Sequence, residues 1–145
     1  MKRIFETTEQ STYGFYGVWL FIDGVWECVV VDDYFPVYKK KPLYTRNHEN
    51  ELWVMLLEKA YAKVFKSYEA IESGLTGVAM NALTGAPFEY LCKDSSNRIT
   101  SEEAWKFITE NLSQNYLLNG STENNDRNGY LGLISTHTYA IMDCR

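Results

Sequence analysis

Near its C-terminal end the chain reads Gly132-Leu133-Ile134-Ser135-Thr136-His137-Thr138-Tyr139-Ala140-Ile141-Met142-Asp143, one imidazole among small and apolar residues. An imidazole titrates close to neutral pH, so it can take a proton from a nucleophile and return it to a leaving group. It can equally fill a packing position with one ring nitrogen donating to a backbone carbonyl, which is the commoner fate of a single histidine. The thiols available to it are Cys28, Cys92 and Cys144, the three cysteines of the 145 residues. By the two-residue period of a strand, Cys28 shares a face with Trp26 and Val30, which favours packing over attack. A zinc site built from His137, Cys144 and the other cysteines lacks any recognisable ligand spacing.

The bulk composition narrows the possibilities. A 145-residue chain with 46% hydrophobic content can bury a core of its own. Its net charge is −5, and apart from Lys39 to Lys41 its basic residues are scattered, so no face reads as a footprint for nucleic acid. Widely separated, odd-numbered cysteines fit reduced thiols. The N-terminal stretch has no run apolar enough for a signal peptide, and no window is apolar enough to span a membrane. A cytoplasmic protein without a membrane span is the expectation.

Several elements are legible. Residues 15 to 31 are two β-rich runs around Asp23-Gly24, a dipeptide suited to a tight hairpin turn. Asp32, Asp33 and Pro36 should end the second strand. Between residues 51 and 66, Leu52, Trp53, Leu56, Leu57, Ala60, Tyr61, Val64 and Phe65 recur at three and four, which predicts one helix burying Leu56, Leu57, Ala60 and Tyr61. Glu58, Lys59 and Lys63 fall on its polar face. Asn47 or Asn50 could cap its start, and Gly74 and Gly77 should mark the loop beyond its end. A short helical turn is expected around Val78 to Leu83, closed by Gly85-Ala86-Pro87. Thr100, three residues before Glu103, opens a second helix striped by Ala104, Trp105, Phe107, Ile108 and Leu112. Residues 119 to 129 read as an exposed loop, and a strand from about Tyr130 through Met142 should carry His137.

In this order the segments resemble the protease core of the calpains. The resemblance rests on Val25-Trp26-Glu27-Cys28-Val29-Val30-Val31-Asp32-Asp33-Tyr34-Phe35-Pro36, on residues 51 to 63, 67 to 74 and 83 to 87, and on residues 132 to 143 around the histidine. It implies an α+β fold, part of a papain-like core. Residues 1–85 would supply the C-terminal part of the helical lobe, with its hairpin and long helix. Residues 86–145 would supply the N-terminal part of the antiparallel β lobe. It also implies a calcium-dependent cysteine endopeptidase acting on protein or peptide substrates. His137 would be the general base of a Cys-His-Asn triad, Gly74 would pair its backbone with extended substrate, and Glu51 would be a calcium ligand.

For two of these residues a plainer reading stands beside the implied one. Glu51 is favourable near a helix N-terminus in any case, and Gly74 is a natural helix-terminating glycine. The family's Gln-x6-Gly-x-Cys-Trp nucleophile segment and its Asn-Pro-Trp-Gly segment have no counterpart among these residues. The expectation is therefore an internal piece of a calpain core that needs the remaining core segments for activity, is inactive alone, and binds calcium weakly or not at all. Where the family has Gly-His-Ala-Tyr-Ser, this chain has Thr136-His137-Thr138-Tyr139-Ala140, and a β-branched residue beside the base narrows the place of a substrate carbonyl. A non-catalytic calpain-like module that binds protein segments is the alternative. An aromatic carbohydrate-binding module is a third reading, and it requires Tyr13, Tyr16, Trp19 and Trp26 exposed on one face.

Overall fold

A computed structural model describes residues 4–46, 49, 51–91, 99–124 and 127–145. The chain divides into two compact units, Met1–Phe88 and Glu89–Arg145.

In the first unit β1 (Phe15–Ile22) and β2 (Val25–Asp32) form an antiparallel hairpin closed by the Ile22–Val25 pair. Asp23 and Gly24 both have positive φ, 48° and 86°, the backbone a two-residue turn needs if it is to match the twist of its strands. Alternation turns Tyr16, Val18 and Leu20 to one face together with Val31, and all four are buried. The free edge of β1 is covered by the N-terminal stretch: Trp19 N–H donates to the Ile4 carbonyl at 2.7 Å and Glu6 N–H to the Gly17 carbonyl at 3.0 Å.

Onto the buried face packs α1 (Trp53–Val64), which adds Leu56 and Ala60 to the core, with Leu57 and Tyr61 half-buried against it. The helix is shorter than the apolar stripe. It starts behind Leu52, which has no side-chain cap bond, and Asn47 and Asn50 lie outside the described residues. It ends at Phe65, with Lys66 in the left-handed region at φ 79°. Gly74 therefore does not terminate it; that glycine follows a 3-10 turn at Glu69–Ile71 and its φ is not positive.

Gly74 lies in the expected loop, but Gly77 does not. It is buried in α2 (Thr76–Thr84), where a Cβ would stand 2.3 Å from a ring carbon of Phe88, so the helix and the Phe88 ring approach closely because the residue is glycine. Gly85 caps α2 in the left-handed conformation at φ 70°, its N–H on the Asn81 carbonyl at 2.7 Å.

Between β2 and α1 lies an element absent from the sequence reading, a small ribbon of β3 (Val37–Tyr38) and β4 (Lys41–Pro42). The polar face of α1 grips it. Lys59 Nζ donates to Asp32 Oδ1 at 2.6 Å and to the carbonyls of Asp32 and Tyr34 at 3.2 and 2.5 Å. Glu58 accepts from Thr45 N–H at 3.0 Å and from Thr45 Oγ1 at 2.5 Å. Lys63 Nζ donates to the Val30 carbonyl at 2.7 Å. The closing pair of the hairpin places the backbone groups of Val30 and Asp32 on the outer edge of β2, so Lys59 and Lys63 occupy edge acceptors that a further strand would need.

The second unit holds α3 (Ser101–Ser113), opened by the anticipated capping box: Thr100 Oγ1 accepts from Glu103 N–H at 3.2 Å, and Glu103 Oε2 accepts from Thr100 N–H at 2.8 Å. β5 (Leu118–Ser121) pairs antiparallel with β6 (Thr138–Ile141). The expected strand from Tyr130 to Met142 is reduced to its last third. Arg127–Tyr130 form a helical turn, α4, and positive φ at Gly132 (71°) and Thr136 (52°) break the extended run. The expected loop at 119 to 129 gives its first residues to β5, which tertiary pairing creates from a Leu-Asn-Gly-Ser stretch of little intrinsic strand preference. No described residue of this unit is buried.

The molecule is thus α+β, helices with small antiparallel sheets. Among the described residues no helix is long and apolar enough to cross a membrane. The carbohydrate-binding arrangement fails, because Tyr16 is only 6% exposed on the core face, opposite the face that Trp19 and Trp26 occupy. Trp26 instead lies against Phe21 and Gly85.

Candidate active-site residues

His137 sits one residue before β6, exposed. Thr122 fixes its backbone from both sides. His137 N–H donates to Thr122 Oγ1 at 2.9 Å, and the His137 carbonyl accepts Thr122 N–H at 2.8 Å. The same hydroxyl donates to the Ile134 carbonyl at 2.6 Å, while Ile134 N–H donates to Tyr139 Oη at 2.9 Å. The loop before β6 is thereby closed on itself. The imidazole stands edge-on to the Tyr139 ring, centroids 5.0 Å apart, and among the described residues neither ring nitrogen has a hydrogen-bond partner. Among the described residues neither ring nitrogen holds a backbone carbonyl.

Thr136, directly before it, is β-branched and left-handed, a combination that costs about 1–2 kcal/mol relative to the right-handed region. The glycine of the family pattern would hold that conformation freely.

Gly74 is exposed in the loop before α2, and nothing lies within 4 Å of where its Cβ would be. Backbone there is approachable. Glu51 is exposed ahead of Leu52, and its Oε2 accepts from Trp53 Nε1 at 3.1 Å. One carboxylate with an oxygen already engaged falls short of the six to eight oxygens that calcium takes. Among the described residues no three metal-ligating side chains come together, so the residues present do not fit a complete calcium site. Glu51 and Gly74 belong to the first unit and His137 to the second.

The thiols divide as follows. Cys92 lies outside the described residues, and Cys144 is a free thiol. Cys28 is also free, on the hairpin face away from the core. Partial burial raises its pKa, and Glu6, whose Oε2 lies 3.8 Å from the sulfur, raises it further. A nucleophilic cysteine needs the opposite environment, with a cation or helix N-terminus nearby. Sequence reasoning missed Thr122 as the residue that holds the histidine. It lies in a polar run typical of loops, and only the pairing of β5 with β6 brings it to His137.

A family model of calpain family cysteine proteases matches residues 1–145. The chain is 37% identical over 155 residues to the calpain-type cysteine protease DEK1 of Zea mays, covering all of this chain and 7% of that protein. The calpain-type cysteine protease ADL1 of Oryza sativa subsp. japonica gives the same figures. Calpain-12 of Homo sapiens is 34% identical over 150 residues, 97% of this chain and 20% of that protein. The chain therefore spans a small fraction of the length of the relatives it matches.

Proposed function

Because this chain belongs to the calpain family of cysteine proteases, we propose that it is a segment of a calpain-type, papain-like cysteine endopeptidase, with His137 as its general base. The observation that carries the assignment is the exposed imidazole of His137, whose ring nitrogens are free among the described residues, on a backbone locked by Thr122 within the match. In this reading the imidazole takes the proton of a cysteine thiol. The thiolate attacks the peptide carbonyl, the imidazolium protonates the leaving amine, and water then releases the acyl group. The raised pKa and acidic neighbour of Cys28 argue against it as that thiol, and neither Cys92 nor Cys144 lies in a segment resembling the family's nucleophile block, so in this reading the nucleophile belongs to the remaining calpain core segments. Those segments would also cover the apolar stripe of α3, where Trp105 is half exposed.

Gly74 would receive an extended peptide against its open backbone, and Glu51 would contribute one carboxylate to a calcium site completed by other segments. Residues 1–85 and 86–145 would be parts of the helical and β lobes. Free thiols at Cys28 and Cys144 accord with a cytoplasmic setting. Left-handed, β-branched Thr136 favours a second reading, a non-catalytic calpain-like module that binds protein segments.

A chimera decides between them: residues 1–145 replace the matched segment of human Calpain-12, and turnover of a fluorogenic peptide is followed. We expect turnover that His137→Ala removes by roughly a thousandfold or more. A folded but inactive chimera that still binds peptide supports the module, and activity that survives His137→Ala ends the base assignment. The 145-residue chain alone should show no turnover, and calorimetry with calcium should give weak heats or none.

A further inference from the structure

The β3–β4 ribbon is exposed, basic and firmly mounted. Residues 34 to 46 carry Lys39, Lys40, Lys41 and Arg46 and no acidic residue, a local charge of +4 on a chain of −5, which leaves −9 elsewhere. Along it Tyr34, Val37, Tyr38 and Leu43 are 82, 67, 61 and 50% exposed. Consecutive residues of α1 hold its two feet, Lys59 on the carbonyl of Tyr34 and Glu58 on Thr45, and Tyr44 stacks on Tyr68 at 4.2 Å. Lys39 and Lys40 form the turn with φ of 49° and 63°, a conformation in which Asn-Gly is the favoured pair. Two lysines there add charge at a cost in backbone strain. Nothing in the protease reading uses this ribbon.

We propose that the ribbon tip is a docking device for an anionic bilayer surface, Tyr38 and Val37 entering the headgroup layer while Lys39, Lys40 and Lys41 meet lipid phosphates and carboxylates. Neighbouring residues of a strand point to opposite faces, so Val37 and Tyr38 expose apolar surface on both sides of the ribbon. A flat protein partner would cover one side only, whereas an interface that the tip enters surrounds both. Lysine stems reach along apolar surface with their charges outward, and Tyr38 stands 5.1 Å below the Lys39 ammonium, an amphipathic pair suited to the headgroup level. A nucleic acid would gain from the lysines but nothing from the exposed Val37, Pro36 and Leu43.

The test is co-sedimentation of the 145-residue chain with vesicles of phosphatidylcholine alone and of phosphatidylcholine with about a third phosphatidylserine, at physiological salt. Binding is expected to the anionic vesicles only. Lys39→Asn with Lys40→Gly keeps the turn and relieves its strain while removing two charges, so a fold loss cannot mimic the result. At about fivefold per lysine, the partition coefficient should fall roughly 25-fold. Tyr38→Ser should also weaken binding. Folded wild-type chain that ignores anionic vesicles, equal binding by the double variant, unchanged binding by Tyr38→Ser, or tighter binding to a single-stranded oligonucleotide would each overturn the proposal.

Discussion

Thr136 and His137 show how much one backbone angle decides. A glycine at 136 would occupy φ 52° without strain, at some entropic cost in the unfolded chain. Thr136→Gly should stabilise the β5–β6 loop by about 0.5–1 kcal/mol, read as slower amide exchange in β5 and β6. Asp32 is the residue whose titration matters for the ribbon foot. The Lys59 ammonium bonded to it holds its carboxyl below the usual carboxylate range, with the Tyr34 N–H helping. A carboxyl depressed in the folded state contributes stability that is complete above its unfolded value of about 4 and is lost as pH falls through the lower folded value. Wild type and Asp32→Asn should therefore differ in urea stability by a constant amount from pH 5 to 8, and the gap should close below about pH 4. Cys28, with its pKa raised, should be alkylated by iodoacetamide more slowly at pH 8 than a cysteine in an unstructured peptide, with Glu6→Gln narrowing the difference.

Among the elements, α1 and the hairpin act as one piece. Leu56 is 3% exposed, on the helix face that meets Val18 and Leu20, both fully buried. Leu56→Ala should cost about 2–5 kcal/mol in a urea titration, since the rigid hairpin leaves the cavity little room to collapse. The opposite face of α1 carries polar residues, yet Glu58, Lys59 and Lys63 tie down the ribbon and the edge of β2 instead of facing only water. α3 depends more on its own ends. With no buried residue to hold it, its capping box matters, and Thr100→Ala should cost about 1 kcal/mol of local helix stability, measured as faster amide exchange over its first turn.

At the scale of the whole molecule the two units differ in what holds them. Every buried residue among those described lies in Met1–Phe88. In Glu89–Arg145, Trp105, Leu117, Ile134 and Met142 are at least half exposed, so hydrogen bonding and capping supply most of the order. Hydrogen exchange of the isolated chain should find the slowest amides in β1, β2 and α1, with exchange in α3, β5 and β6 faster by two orders of magnitude or more. Uniform protection across both units would show that the second unit has a core not apparent in its exposure.

Local chemistry was enough to place the hairpin, the long helix and the capping box. Asp-Gly demands a tight turn, an apolar stripe at three and four demands a helix with a buried face, and Thr-x-x-Glu satisfies helix donors within four residues. The family membership was also readable from the order of the segments. Contacts between residues distant in sequence were not. The strand character of Leu118–Ser121 comes from pairing with Thr138–Ile141, the Thr122 grip on His137 follows from that pairing, and the edge-capping role of Lys59 and Lys63 follows from where the helix lies on the hairpin. The ribbon at residues 37 to 42 was hidden for the same reason: its turn residues are two lysines, and what holds it in place is Glu58 and Lys59 of a helix that begins eleven residues later, which no local pattern announces.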